Sequence, residues 1–145
     1  MADRQRVRSI AICLIQHLHK PQIFVLEGFE TGQQRHFYRP LGGGIDLGET
    51  GAETVVRELK EETNHEVHQI EYIETLENIF NYKGQLAHEI VRVYRGQFID
   101  PTMYDTPEIM ACEDSGRPFR ALWIDIADFK SGKKWLVPEA LVHLI

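Results

Sequence analysis

Three glutamates, Glu58, Glu61 and Glu62, lie within residues 42–65, a stretch that opens with three consecutive glycines. If the chain is helical around them, Glu61 lies about 60° to one side of Glu58 and Glu62 about 40° to the other, because each residue turns about 100°. Like charges on one helix face oppose helix formation by about 0.2–0.5 kcal/mol per pair. Carboxylate oxygens are preferred ligands of hard divalent ions such as Mg2+, so the cluster indicates a cation site. A Glu-rich face that only contacts solvent is the alternative.

The helix that positions these carboxylates is predicted to begin near Thr50-Gly51 and to end at about Asn64. The glycines before it, residues 42–44, let backbone atoms approach a metal or a phosphate because no Cβ intervenes. The face that adjoins the carboxylates is mostly apolar, as in a helix that packs on a sheet, and it consists of Ala52, Val55, Val56, Leu59 and Thr63.

The spacing of these residues resembles the signature of the Nudix hydrolase family, G-x5-E-x7-R-E-U-x-E-E-x-G-U, in which U is a bulky aliphatic residue. Asn64 replaces the last glycine, and Asn is the next best residue for a left-handed helix end. His65 replaces the last aliphatic residue, so we expect His65 to point outward and Val67 to take the apolar role. The remaining matches within residues 43–65 are Gly43, Glu49, Arg57, Glu58, Leu59, Glu61 and Glu62.

The resemblance implies an α/β/α sandwich with a mixed β-sheet and hydrolysis of a nucleoside diphosphate linked to another moiety. The length predicts one domain, residues 1–145. Water attack on a pyrophosphate places charge on phosphoryl oxygens, and divalent metals neutralise this charge and acidify a bound water. Mg2+, or Mn2+ in its place, is therefore the expected cofactor. A nucleotide sugar such as ADP-ribose, a nucleoside triphosphate and a dinucleoside polyphosphate are the substrate candidates, and a catalytically silent nucleotide- or protein-binding module is the alternative function.

The signature residues receive roles from this resemblance. Gly43, Glu58, Glu61 and Glu62 are the predicted metal ligands, and Glu58 and Glu61 are also predicted to act in catalysis. Arg57 is a predicted catalytic-site residue whose role is an ion pair with Glu49, which would fix the loop against the helix. A solvent-exposed arginine is the alternative for Arg57.

The general base is predicted to be either a signature glutamate or one from outside the signature. Glu89 is the first outside candidate, because its strand should cross near the helix. Glu113, in a long connection, is the second candidate. An ordinary strand-surface charge is the alternative for Glu89.

Substrate-binding candidates flank the signature. Tyr38 and Arg39 come just before the glycines, and the guanidinium fork of Arg39 suits phosphate oxygens, although a surface arginine is equally compatible. Phe80 and Tyr82 could stack on a base, but aromatic residues on paired strands often pack in the core or across strands instead.

The other elements follow from apolar patterns. The first two strands are expected to pair antiparallel because their connection, residues 16–21, is short. His17 and His19 in that connection are expected to be exposed loop residues, not metal ligands. Residues 28–35 are predicted to be a polar loop. The predicted strands are Ser9–Ile15, Gln22–Glu27, His36–Arg39, Ile70–Tyr82, Leu86–Phe98 and Phe119–Ile124.

The last third of the chain is predicted to contain one long loop and two short helical segments. Residues 99–118 are predicted to be a loop that selects the substrate and closes over it, because long connections in compact domains are often functional. Residues 125–130 are predicted to form a helical turn, and residues 136–145 a C-terminal helix. A hairpin turn is expected at Lys83-Gly84.

Composition limits the partners. The net charge of −6 argues against broad binding to nucleic acid polymers or anionic membranes, but not against a small nucleotide ligand whose metal reverses the local charge. No stretch reaches the roughly 18 apolar residues that would span a bilayer. Residues 1–9 are expected to be a basic tail and not a signal peptide. Two cysteines without metal spacing favour a cytoplasmic protein. The chain is expected to be a monomer or a homodimer.

Overall fold

The computed structural model describes residues 6–145, and residues 1–5, which hold most of the predicted basic tail, lie outside the described part. The strands are β1 (Arg8–Ile15), β2 (Gln22–Glu30), β3 (Arg35–Arg39), β4 (Leu41–Gly44), β5 (Val67–Tyr82), β6 (Gln85–Phe98), β7 (Glu108–Cys112) and β8 (Pro118–Asp125). The α-helices are α1 (Gly51–Thr63) and α2 (Ile126–Lys130), and 3-10 helices cover Pro101–Asp105 and Glu139–Leu144.

The strands form two four-stranded sheets, where the sequence predicts one. The first sheet has the order β4-β1-β6-β5 and is mixed, because β1 is parallel to β6 and the other pairs are antiparallel. The second has the order β3-β2-β8-β7 and is antiparallel throughout. The predicted mixed sheet is therefore confirmed, and a second sheet accompanies it.

The helices lie on two sides of the sheets, because successive strand residues point to opposite faces. On β1, Ala11 and Cys13 contribute to a core cluster that includes residues of α1 such as Leu59. Ile10 and Ile12 contribute to a second cluster, which contains Phe129 of α2 and Leu141 of the C-terminal 3-10 helix. This arrangement confirms the predicted α/β/α sandwich.

The predicted antiparallel pairing of β1 with β2 is wrong. Both long edges of β1 are already paired, with β4 on one side and β6 on the other. β2 pairs instead with β3 and β8 in the other sheet, and an isolated bridge, Gln16 to Ile23, links the two strands. The short connection therefore joins two sheets and does not close a hairpin.

Both ends of α1 agree with the sequence. Thr50 caps the N-terminus in a capping box with Glu53, and Asn64 ends the helix in the left-handed conformation, with φ of 62°. Val67 is buried, which confirms its predicted apolar role. His65 was expected to point outward, but it is half-buried and its ring lies edge-on to Phe98, with centroids 6.1 Å apart.

Most of the predicted loop over residues 99–118 has regular structure, so that prediction is wrong. A 3-10 helix begins after Asp100, whose side chain accepts a hydrogen bond from the Thr102 amide. Met103 and Tyr104 are buried, and Trp123 donates its indole N–H to the Met103 carbonyl at 3.0 Å. β7 then pairs with β8, so the longest part that remains a loop is the turn between these strands, residues 113–117.

His17 is buried, which contradicts its prediction as an exposed loop residue, whereas His19 is exposed as predicted. The amide of His19 donates to Nδ1 of His17, so Nε2 donates to the Tyr104 carbonyl at 2.5 Å. The ring also packs edge-on against Tyr104 and Trp123. His17 therefore attaches the β1–β2 connection to the 3-10 helix.

Two further predictions need correction. The loop predicted over residues 28–35 is shorter, because β2 and β3 remain paired as far as Glu30 and Arg35 and only residues 31–34 form the turn. The predicted C-terminal helix is only a 3-10 helix, Glu139–Leu144. The hairpin turn between β5 and β6 is confirmed, since Lys83 and Gly84 both have positive φ, at 52° and 77°.

Candidate active site

A cavity of about 400 Å3 opens beside α1 and has walls from both sheets. The first sheet and α1 supply most of its carboxylates, and the second sheet supplies an arginine, two apolar residues and an acidic turn. It is lined by Arg8, Ile10, Ile12, Leu26, Arg39, Gly43, Gly44, Glu58, Glu62, Glu89, Glu113, Asp114, Ser115 and Phe119.

Gly43 and Glu58 are in close contact at one wall of the cavity. Gly43 lies on β4 opposite Ala11, at the sheet edge that α1 covers. A Cβ built on Gly43 would lie 2.5 Å from Cδ of Glu58, so only glycine fits here without displacing the carboxylate. The backbone of β4 and the Glu58 side chain therefore form one surface, and the ligand role of Gly43 stays a prediction.

The two signature carboxylates of the cavity are poorly solvated and close to other negative charges. Burial raises the pKa of Glu58, and the charges of Asp114 and Glu61 add to this effect against the opposing influence of Arg57. Burial, followed by the charge of Glu58, raises the pKa of Glu62 to about 8, although Arg39 opposes the shift. Oε1 of Glu62 is buried without a hydrogen-bond partner. This environment favours a cation, which would neutralise both carboxylates.

Arg57 holds the loop before α1 through a forked contact with Glu49, which confirms the predicted ion pair. Its Nε and Nη2 donate to the two carboxylate oxygens of Glu49 at 2.7 and 2.9 Å. Nη2 also donates to the Gly44 carbonyl at 3.0 Å. The hydrogen bonds from Arg57 lower the pKa of Glu49 to about 2, and the hydrogen bond from Thr54 adds to this effect. Arg57 thus ties the glycine strand to the helix.

Glu61 is the predicted metal ligand that does not line the cavity. It is exposed, and Oε1 accepts a hydrogen bond from Nη1 of Arg57 at 2.9 Å. Within residues 6–145, no group of three or more His, Cys, Asp or Glu side chains is arranged as a ready-made metal site. The chemistry of Glu58 and Glu62 nevertheless fits a hard cation, given the unpartnered oxygen of Glu62 and the close approach of Gly43. The ligand role of Glu61 stays a prediction.

Both outside candidates for the base lie in the cavity. Glu89 is buried on β6, and Asn78 on β5 donates to its Oε1 at 3.5 Å. Nη1 of Arg8 lies 3.9 Å from its Oε2. Glu113 reaches the cavity from the β7–β8 turn. The geometry thus groups Glu89 with Glu58 and Glu62, and the choice of base stays a prediction.

The three predicted substrate-binding residues have different surroundings. Arg39 lines the cavity, and its Nε is buried without a hydrogen-bond partner. Tyr38 does not line the cavity: it is buried in the core cluster of α2, and its hydroxyl donates to Glu27 at 2.8 Å. Phe80 does not line it either, but it pairs with Ala87, two residues along β6 from Glu89. It therefore lies on the same face of the hairpin as Glu89.

Sequence reasoning missed Arg8, Asp114 and Ser115 as cavity residues. Arg8 looked like part of a basic tail, and the parallel register of β1 and β6 places it opposite Glu89. Asp114 and Ser115 belonged to the predicted long loop, and the β7–β8 pairing brings them to the cavity. Because β1 and β6 are far apart in the sequence, no local signal reveals the pairing that brings Arg8 to Glu89.

Comparison with known proteins agrees with this geometry. The family model of the NUDIX domain matches residues 5–144. The chain belongs to the Nudix family. Nudix proteins are typically hydrolases of phosphoric anhydride bonds and generally use divalent metals. No curated protein sequence matches this Nudix chain significantly.

Solved structures show the same Nudix fold. A NUDIX hydrolase from Nitrosomonas europaea has a TM-score of 0.66 at 13% identity, over 95% of this chain and 85% of that one. A MutT protein, studied in Aliivibrio salmonicida and Vibrio cholerae, has a TM-score of 0.60 at 18% identity, over 96% and 94%. The Escherichia coli ORF135 protein has a TM-score of 0.55 at 15% identity, over 96% and 86%. At these identities the likeness shows the fold alone.

Among residues 6–145, no helix is both long and apolar enough to cross a bilayer.

Proposed function

We propose that this chain is a divalent-metal-dependent pyrophosphohydrolase, and that residues 1–145 act as a single Nudix hydrolase domain. Its substrate is a nucleoside diphosphate derivative, either a nucleotide sugar such as ADP-ribose or a nucleoside triphosphate. One observation carries the proposal: Glu58 and Glu62 of the signature helix share a cavity with Glu89 of β6 and Arg39 of β3. This hydrolysis needs carboxylates that bind a cation, a further carboxylate that acts as the base, and a guanidinium that binds phosphate.

In this proposal, Glu58 and Glu62 hold Mg2+ or Mn2+ together with the backbone of Gly43. Glu61 is the further predicted ligand, and it would exchange its contact with Arg57 for the cation. When bound, the metal supplies neutralisation of phosphoryl charge and a water of lowered pKa. Arg57 keeps Glu49 and the glycine strand in place, so its effect on catalysis is to position the other groups.

Glu89 accepts the proton of the attacking water in this proposal, and Glu113 is the alternative base. The burial of Glu89 and its contacts with Asn78 and Arg8 hold its carboxylate in one orientation. Arg39 binds a phosphate oxygen, because it lines the same cavity and the planar fork of a guanidinium suits phosphate oxygens. Phe80, on the same hairpin face as Glu89, is the proposed contact for the base of the substrate.

A panel of nucleotides tests the proposal. The purified chain is incubated with Mg2+ and nucleotide sugars, nucleoside triphosphates and dinucleoside polyphosphates, and released phosphate, pyrophosphate and nucleoside monophosphate are measured. We expect turnover of at least one class, and its loss in excess chelator. Metal-dependent binding without any turnover would instead favour the catalytically silent module.

A further inference from the structure

Aromatic residues flank two walls of the cavity, on different sheets. On the first sheet, Phe80 lies on the hairpin face that carries Glu89. On the second sheet, Phe37 lies on the β3 face that carries Arg39, because the two residues are two positions apart on one strand. Since Arg39 and Glu89 both line the cavity, each aromatic residue adjoins a different wall of it.

Phe37 is the centre of a larger aromatic surface outside the cavity. Its ring lies over Gly28, its partner on β2, which has no side chain in the way. Trp135 packs edge-on against Phe37, with ring centroids 6.3 Å apart. The guanidinium of Arg35 lies on the Trp135 ring, 4.5 Å from its centroid. These three residues, Arg35, Phe37 and Trp135, form the β3 platform.

Hydrogen bonds hold Trp135 beside β3. The amide of Tyr38 donates to the Trp135 carbonyl at 2.8 Å, and the amide of Val137 donates to the Tyr38 carbonyl at 2.9 Å. The indole N–H of Trp135 donates to Glu139 at 3.0 Å. The indole is therefore fixed in orientation before any ligand binds, which lowers the entropic cost of stacking.

Arg35 has donors available for a ligand. It is exposed, and within residues 6–145 it takes part in no ion pair. Glu30, its ladder partner on β2, accepts instead from the Gly32 amide at 2.7 Å. A guanidinium that stacks on an indole keeps its N–H groups at the edge, so it can stack and donate at once. A flat ring with hydrogen-bond acceptors, such as a nucleobase, suits this combination.

We propose that the β3 platform binds a second aromatic ring of the substrate, so that the chain prefers a phosphate chain with a nucleoside at each end, a dinucleoside polyphosphate. This inference rests on the proposed function, in which the phosphates lie in the cavity and one base contacts Phe80. A nucleotide sugar or a nucleoside triphosphate has a single base and would leave one of the two aromatic surfaces empty. Because stacking tolerates every base, the platform selects the number of rings and not their identity.

Equilibrium binding tests the platform without turnover. The probes are diadenosine tetraphosphate and adenosine tetraphosphate, both with methylene groups in place of the bridging oxygens. Each probe is titrated into the chain with Mg2+ in a calorimeter, and the methylene bridges cannot be hydrolysed, so the readout is affinity alone. We expect the wild type to bind the two-ring probe roughly tenfold or more tightly than the one-ring probe.

Variants of the platform should remove this preference. Trp135→Ala should weaken the two-ring probe roughly tenfold and Arg35→Gln by a smaller factor, whereas the one-ring probe should change little because its base can contact Phe80. Trp135→Phe keeps a ring and should retain most of the preference. Phe80→Ala should also weaken the two-ring probe, and combined with Trp135→Ala the two losses should multiply, because two separate rings are involved.

Arg92→Gln is the matched control. Arg92 stacks on Tyr72 in the same way, 4.4 Å from the ring centroid, but on the hairpin face that points away from Glu89. This variant should keep the full preference. The Tm of each variant without ligand shows whether it is folded, and Arg35→Gln changes only an exposed side chain.

The proposal is overturned if the wild type binds both probes equally, if Trp135→Ala and Arg35→Gln keep the preference, or if the losses of Trp135→Ala and Phe80→Ala do not multiply. Preference for the two-ring probe without hydrolysis of any nucleotide would refute only the proposed function. Hydrolysis together with equal affinity for the two probes would refute only the second ring site.

Discussion

Gly43 on β4 and the carboxylate of Glu58 on α1 occupy adjoining space: a methyl group at position 43 would lie 2.5 Å from Cδ of Glu58. Position 43 requires glycine because the Glu58 side chain lies so close. Position 42 requires glycine for a different reason, because its φ is 154° and a Cβ there would meet the backbone of β1. The contact fixes how near the strand comes to the candidate metal ligand.

Alanine at position 43 should therefore displace Glu58 and weaken metal binding. Because a Cβ there meets only the end of the flexible Glu58 side chain, we expect Gly43→Ala to remain folded and to lose most of the Mg2+-induced rise in Tm. Gly44→Ala is the control, because the nearest atom to a Cβ there is a flexible Arg8 nitrogen at 3.7 Å. Equal rises in Tm of the two variants with Mg2+ would contradict a role of the Gly43–Glu58 contact in metal binding.

Glu62→Gln should reduce turnover by orders of magnitude with the fold intact, because it removes a buried carboxylate from the cavity. Glu61→Gln should have a smaller effect, since Glu61 is exposed and bound to Arg57. Steady-state rates and the Tm of each variant with and without millimolar Mg2+ check this order. Full activity of Glu62→Gln, or of the wild type in excess chelator, would show that the metal assignment is wrong.

Glu89→Gln should lower kcat at least tenfold with little change in stability, because a general base contributes roughly 10²–10⁴-fold to rate. Glu113→Gln is measured beside it, since both carboxylates line the cavity. Normal turnover of Glu89→Gln together with a loss in Glu113→Gln would assign the base to the β7–β8 turn.

The ion pair of Glu49 with Arg57 should make stability sensitive to acid. The folded-state pKa of Glu49, about 2, lies below the ordinary glutamate value of 4.5, so its contribution to stability is complete above pH 4.5 and is lost as the pH falls toward 2. Urea unfolding at pH 7 and pH 3.5 should show a stability difference between wild type and Glu49→Gln that narrows at the lower pH. A difference that is constant with pH would rule out the linkage.

The turn between β7 and β8 should influence substrate choice. Alanine in place of Glu113, Asp114 and Ser115 should change the relative rates across the nucleotide panel and preserve stabilisation by Mg2+. Replacing residues 102–114 entirely should instead unfold the chain, because Met103 and Tyr104 are buried. If the alanine variant kept the wild-type ratios, selectivity would lie with Arg39 and Phe80.

The helix α1 could be predicted from sequence because its signals are local. Thr50 and Glu53 form a capping box three residues apart, and Asn64 ends the helix in a conformation that few other residues tolerate. The facing of Glu58 and Glu62 follows from the helical repeat alone. Glu61 departs from that picture: Arg57 forms ion pairs with both Glu58 and Glu61, but Glu61 is exposed and does not line the cavity.

Several of the wrong predictions concern contacts between segments that are distant in the sequence. β1 and β2 looked like a hairpin because the chain between them is short, but β4 and β6 occupy the edges of β1. His17 is buried by Tyr104, which lies 87 residues later. Tyr38 lies next to Arg39, but strand alternation directs the two side chains to opposite faces, so only Arg39 reaches the cavity.

The cavity is lined by residues from both sheets, and the two sheets share no strand. The carboxylates Glu58, Glu62 and Glu89 belong to α1 and the β4-β1-β6-β5 sheet, whereas Arg39, Phe119 and the β7–β8 turn belong to the other. Substitutions in the second sheet can therefore alter what the protein recognises without breaking a ladder that holds its hydrolytic groups. A library for directed evolution of new substrate preference belongs in β3 and the β7–β8 turn, with β4, α1 and β6 left as they are.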